Sequence, residues 1–157
     1  MTIGSIVPDS RWGGMNTWHQ AFSHPDRWAA VLIQHGAPGN PSMDSPVLAN
    51  AAHIPFKIAT GEDDKLSRPK LNQVMADSLT KAGIHVEVEI KPGVGHQPVG
   101  YEEDIEWMLQ FTRKRPATFS FVAPESWLAG TRGITMERPG PMARFTCRNE
   151  GSTITLE

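Results

Sequence analysis

The sequence predicts an α/β protein: parallel strands with crossover helices as far as residue 115, followed by a small β-rich segment over residues 116–157. Three observations carry this. Short, continuously apolar runs alternate with amphipathic stretches up to Arg115, the order expected of a parallel sheet with crossover helices. Two of those runs lack an inside-outside alternation, as strands buried on both faces do. After Pro116, apolar residues instead recur at every second position between Gly and Pro turns, the pattern of antiparallel strands.

In chain order, Gly13-Gly14 opens a segment in which Met15, Trp18 and Phe22 recur at helical spacing. Pro25 stops it, because it restricts His24 and cannot continue the helix. The run Ala29-Ala30-Val31-Leu32-Ile33 reads as a buried strand, and a turn-rich loop follows from His35 through Pro46. Residues 55–60 form a second buried strand that ends at Gly61-Glu62-Asp63-Asp64. The next helix starts near Ser67, with Pro69 in its first turn, where a missing N–H costs nothing. Leu71, Val74, Met75, Leu79 and Ala82 make its apolar face, and Gly83 suits its C-terminal end. Val86, Val88 and Ile90 alternate with Glu87 and Glu89, predicting a strand near a sheet edge with one wet face. Pro92-Gly93-Val94-Gly95-His96 closes it. A last helix spans residues 101–113, with Ile105, Met108, Leu109 and Thr112 on one face. Its acids at the start and bases at the end match the helix dipole. In the tail, Ala117-Phe119-Phe121, Ala143-Phe145-Cys147 and Ile154-Leu156 are the strand patterns. This divides the chain into residues 1–115 and 116–157.

Composition narrows the function classes. A chain of 157 residues with 39% hydrophobic content is too apolar for disorder. No run approaches the roughly 20 apolar residues of a spanning helix. A net charge of -2 leaves no electrostatic footprint for nucleic acid. The single cysteine, Cys147, excludes an intrachain disulfide and a cysteine-based zinc site. No signal peptide is visible, and the location stays open.

In an open α/β sheet, functional groups gather in loops at the carboxyl ends of strands. Three such loops carry His35, the pair Asp63 and Asp64, and His96. One helix and one strand separate Asp64 from His96, so adjacent parallel strands would present both on the same edge. An Asp that fixes a His tautomer, beside a His that takes a proton from a nucleophile, is two-thirds of a hydrolytic triad. Gly-Glu-Asp-Asp is also good turn and capping chemistry, and a His in a Gly-rich loop is often merely exposed. His35 either borders the substrate pocket or serves as a plain loop residue. His19, His24 and Asp26 lack metal-ligand spacing, and no partner is evident for His53 or His85.

Four pieces resemble the C-terminal half of an α/β-hydrolase esterase. The nearest groups are polyhydroxybutyrate-depolymerase-like and dienelactone-hydrolase-like esterases, related to prolyl-oligopeptidase-type domains. Gly13-Gly14-Met15-Asn16-Thr17-Trp18 resembles the helix start after that family's nucleophile. His24-Pro25-Asp26-Arg27-Trp28-Ala29-Ala30-Val31 resembles its turn into the sixth strand. The stretch from Ile54 to Asp64 resembles the strand and loop bearing the acid, with the spacing from Gly61 favouring Asp64 over Asp63. Pro92-Gly93-Val94-Gly95-His96 resembles the loop of the catalytic histidine. The resemblance implies a serine ester hydrolase with Asp64 and His96 in its triad, a small-molecule ester substrate, and no cofactor or metal. Peptide hydrolysis is a further alternative.

The sequence departs from the family where the nucleophile belongs. No Gly-x-Ser-x-Gly occurs in it. Anchored on Gly13-Gly14, the nucleophile position falls on Arg11, which stays protonated. Ser10 is displaced by one residue, which would turn it away from His96. A second alignment matches Val7-Pro8-Asp9-Ser10-Arg11 to the segment before the nucleophile strand. On that alignment the strand and its serine are absent, and nothing before residue 10 supplies the oxyanion-hole N–H. A catalytically inactive homologue, truncated or degenerate and acting if at all through binding, is therefore the alternative function. The same reasoning predicts an exposed edge on the strand containing Val31, exposed apolar helix faces, and self-association through that edge.

Overall fold

A computed structural model describes residues 11–39, 45–97, 100–123, 130–137, 140, 142–151 and 153–157, with backbone only for residues 11 and 12. Three parallel strands form the first sheet, in the order β1 (Val31–Gln34), β2 (Phe56–Gly61) and β3 (Val86–Lys91). Their register pairs Val31 with Phe56 and Phe56 with Val86. Helix α1 (Arg11–Ser23) precedes β1, α2 (Pro69–Lys81) joins β2 to β3, and α3 (Tyr101–Leu109) follows β3. This is a mixed α/β architecture, as the alternating pattern predicts.

Helices cover both faces. On one face Trp18 and Phe22 of α1 stack with Phe56 of β2, and Met75 and Leu79 of α2 close the same core over Ile33 and Ile58. On the other, Ala30 and Leu32 pack under Trp107 and Met108 of α3. β3 lies at the edge, as its alternation predicts.

The predicted wet face of β3 stays partly exposed at Glu87 and Glu89 and meets α3 through polar contacts. There Lys57 pairs with Asp104 at 2.5 Å and with Glu89 at 3.4 Å, Gln34 donates to Asp104 at 2.6 Å, and Trp107 donates to Glu87 at 2.7 Å. Asp104 is fully buried, so its role is to anchor α3 to the sheet rather than to decorate the helix start. Lys57 likewise breaks the apolar character expected of β2. Two helix faces also differ from expectation: Val74 and Leu109 are each about half exposed, and Asn72 and Ala76 are buried instead on α2. α3 ends at Leu109 rather than at residue 113, and just beyond it Phe111 packs on Trp107, with ring centroids 4.8 Å apart.

The expectation for the β1 side concerns the open edge of the strand; the side chains on its two faces are covered by helices. Val31, Leu32 and Ile33 are at most 3% exposed, and α1 and α3 pack against them. Among the described residues β1 pairs with β2 alone.

The tail is β-rich as predicted. β4 (Thr118–Val122), β7 (Arg144–Glu150) and β8 (Thr153–Leu156) form an antiparallel sheet in the order β4-β7-β8, and β5 (Gly130–Thr131) with β6 (Ile134–Thr135) forms a small hairpin. Phe121, Ala123, Phe145 and Cys147 make its own small core. The tail also packs on the first part. Val122 joins the large core, and the buried Asn50, in a 3₁₀ turn at Pro46–Ala51, bridges the two. Its amide donates to Phe22 O and Val122 O at 3.0 and 2.8 Å and accepts from Val122 N–H at 2.8 Å.

Candidate active site

The loops after β2 and β3 are fastened together. Gly61 permits this, because a Cβ there would stand 2.1 Å from the Val94 carbonyl oxygen. Across that contact Glu62 N–H donates to Lys91 O and Asp63 N–H donates to Val94 O, both at 2.9 Å. The acid loop therefore holds the histidine loop in register, and Asp63 itself points away as an exposed residue.

Asp64 is 1% exposed and saturated with donors. Its Oδ1 accepts the N–H groups of Leu66 and Ser67, each at 3.0 Å, in the local turn that Asp favours. The Ser67 hydroxyl is in turn bonded to the Thr60 hydroxyl. Its Oδ2 meets His96 Nδ1 at 2.8 Å and His35 Nδ1 at 3.2 Å. Burial pushes the Asp64 carboxyl up, but the hydrogen bonds from Ser67, His96 and His35 outweigh it and bring the pKa down to about 2. An ionised carboxylate only accepts, so both imidazoles carry their proton on Nδ1. In the neutral His96 ring, Nε2 then carries the lone pair, the tautomer a general base needs.

The two histidines differ in setting. The His96 side chain is 29% exposed, and His35 is mostly enclosed. Their rings meet edge to face, with centroids 5.4 Å apart. His35 follows β1 with a left-handed backbone, φ 52°. Beside it the Gly36 backbone packs on Gly14 of α1, where a Cβ on Gly36 would lie 2.4 Å from the Gly14 Cα. Among the described residues His35 Nε2 is buried without a hydrogen-bond partner. The nitrogen and oxygen atoms of His35, Asp64 and His96 lie within 4.8 Å of one another, so the trio could also hold a divalent cation. Two imidazoles and one carboxylate suit zinc in particular.

The structure thus brings Asp64, His96 and His35 together. Ser10, the sequence's candidate nucleophile, lies outside the described residues. Nothing in the sequence signals that His35 shares Asp64, since the contact depends on how β1 sits beside β2. His53 and His85, without evident partners in the sequence, contact Arg132 and Glu87.

No family model and no curated protein matches the chain. Solved structures match part of it. A thermostable esterase is 25% identical, covering 64% of this chain and 29% of its own length, with a TM-score of 0.53. SOBER1 of Arabidopsis thaliana is 25% identical over 62% of this chain and 48% of its own, with a TM-score of 0.52. A carboxylesterase of Bacillus cereus is 20% identical over 62% and 45%, with a TM-score of 0.50. The architecture is that of α/β hydrolases, in part: this chain spans less than half the length of each of these proteins. Among the described residues, no helix is long and apolar enough to cross a membrane.

Proposed function

We propose that the chain carries the acid–base half of a serine ester hydrolase, acting on small-molecule carboxylic esters. The observation that carries this is the 2.8 Å contact between Asp64 and His96 Nδ1, on a carboxylate held by two backbone N–H groups at the carboxyl end of a parallel sheet. The esterases among the structural neighbours support the same reading. In this reaction a serine hydroxyl attacks the ester carbonyl as His96 Nε2 takes its proton. His96 then returns that proton to the departing alcohol, and water releases the acyl group by the same exchange. Asp64 orients His96 and stabilises the imidazolium that forms. In this sequence Ser10 is the nucleophile candidate nearest α1, and no cofactor is needed. Cleavage of peptides is the less favoured form of the same chemistry.

The absence of Gly-x-Ser-x-Gly favours a second reading, a non-catalytic chain that retains the fold for binding. Hydrolysis of a p-nitrophenyl short-chain ester by the chain and by its His96→Ala variant separates the two. We expect a rate that falls at least about 100-fold in the variant, the typical worth of a general base. Equal rates remove the catalytic reading. Labelling of Ser10 by a fluorophosphonate identifies the nucleophile.

A further inference from the structure

Away from the paired loops, an open cavity of about 760 Å³ lies where the α/β part meets the tail. Arg113 and Arg115, after α3, and Arg132, in the β5–β6 hairpin, line it together with Asp26. Its apolar wall includes Phe119, Ile134 and Cys147. Among the described residues none of the three arginines forms an ion pair with a carboxylate. Arg113 donates instead to the Asp26 carbonyl at 3.1 Å, and Arg132 to the Lys114 carbonyl at 3.5 Å and to His53 at 2.7 Å. Neutral acceptors hold Arg113 and Arg132 in place, and Asp26 is the single carboxylate among the described lining residues that faces the three positive charges.

The hairpin turn gives a second, independent sign. Arg132 and Gly133 have φ of 54° and 81°, the paired left-handed conformation of a tight two-residue turn. Asn, Asp or Gly suits its first position, and an arginine there holds a strained backbone. Strain of this kind gathers at ligand-binding positions. The Arg132 side chain lies over the Phe119 ring at 5.1 Å, which fixes its guanidinium at the cavity wall. Burial lowers the Arg132 pKa, Asp26 opposes this, and Arg113 and Arg115 lower it further by like-charge repulsion. An anion in the cavity would relieve that repulsion.

We propose that this cavity binds a small organic anion, with a phosphate or carboxylate head held by Arg113, Arg115 and Arg132 and an apolar body lying on Phe119 and Ile134. Guanidinium groups match the planar or tetrahedral oxygens of these heads through paired N–H donors. The volume suits a small molecule, and three arginines in a chain of net charge -2 do not make the extended basic stripe that a nucleic acid needs. The site is independent of the hydrolase reading, and its test reads binding alone.

Calorimetric titration of the whole chain with phenyl phosphate, benzoate, inorganic phosphate and benzyl alcohol tests this. We expect one site per chain for phenyl phosphate or benzoate, whichever head is preferred, and at least about tenfold weaker binding of benzyl alcohol. Arg132→Gln, and separately the exposed pair Arg113→Gln with Arg115→Gln, should each weaken the anion about tenfold or more. The paired variant guards against a folding defect at the hairpin, and a melting curve like that of the parent chain certifies it. Three results overturn the proposal: no saturable anion binding at millimolar concentration, equal binding by the paired variant, or equal binding of benzyl alcohol. Inorganic phosphate binding as tightly as phenyl phosphate overturns the role of the apolar wall.

Discussion

The α/β part and the β-rich tail solve the same problem of burial to different extents. In the first, helices cover both faces of the sheet, and even the charged residues under α3 are matched, Lys57 to Asp104 and Glu89. In the tail, one sheet, with Ile134 of β6 and Met136 after it, closes a core of four small and aromatic residues, while Ile154 and Leu156 on β8 stay more than half exposed. The tail makes up part of the difference by inserting Val122 into the larger core and hanging its backbone on Asn50. A sheet with one covered face gains stability from a neighbour, and the point of attachment matters more than its own outer strand.

The largest effect should come from cutting that attachment. Asn50→Leu leaves Val122 N–H, Val122 O and Phe22 O buried without their partner. At 1–3 kcal/mol for each orphaned group, the loss should be about 4 kcal/mol. Amide exchange should show β4 and β7 losing protection before β2. Equal loss in both regions would mean that the two parts unfold as one unit and that the contrast between them is false.

A smaller effect should distinguish the regions by pH. The folded Asp64 carboxyl titrates at about 2, below its ordinary value of 3.8. Its contribution to stability is therefore fully present above about pH 4 and is lost as pH falls toward 2. The full shift corresponds to roughly 2 kcal/mol. Acid titration of the parent chain and of Asp64→Asn, followed by thermal melting, should give a parent curve that drops over that window and a flatter curve for the variant. Parallel curves would show that Asp64 is not held as described.

The smallest effect should come from the outer strand. Ile154→Ser removes an exposed side chain, and the melting free energy should change by less than about 0.5 kcal/mol. A larger loss would show that β8 is buried in solution, as by a second copy of the chain.

Much of this organisation was legible in the sequence. The apolar runs marked β1 and β2, the Val86-Glu87-Val88-Glu89 alternation marked an edge strand, and every-second-residue patterns marked β4, β7 and β8. The loops of Asp64 and His96 stood out because each is a chemistry-bearing residue placed directly after a strand. Contacts between distant segments could not be read the same way. Asp104 looked like a helix-start acid, and its buried partner Lys57 lies on another element. Asn50, between the turn-rich loop and β2, carried no sign that it would hold Val122.

The sequence by itself determined the three helices and six of the eight strands, though not β5 and β6, together with the parallel order of the first sheet and the pairing of an acidic loop with a histidine loop. These follow from local periodicity, from proline and glycine, and from the rule that strand ends collect functional groups. Tertiary structure alone decided that Asp64 serves two histidines, that Lys57 and Asp104 are buried together, and that Arg113, Arg115 and Arg132 face one cavity. Each of these depends on distances between groups far apart in the chain, which register and helix packing set and no local pattern encodes.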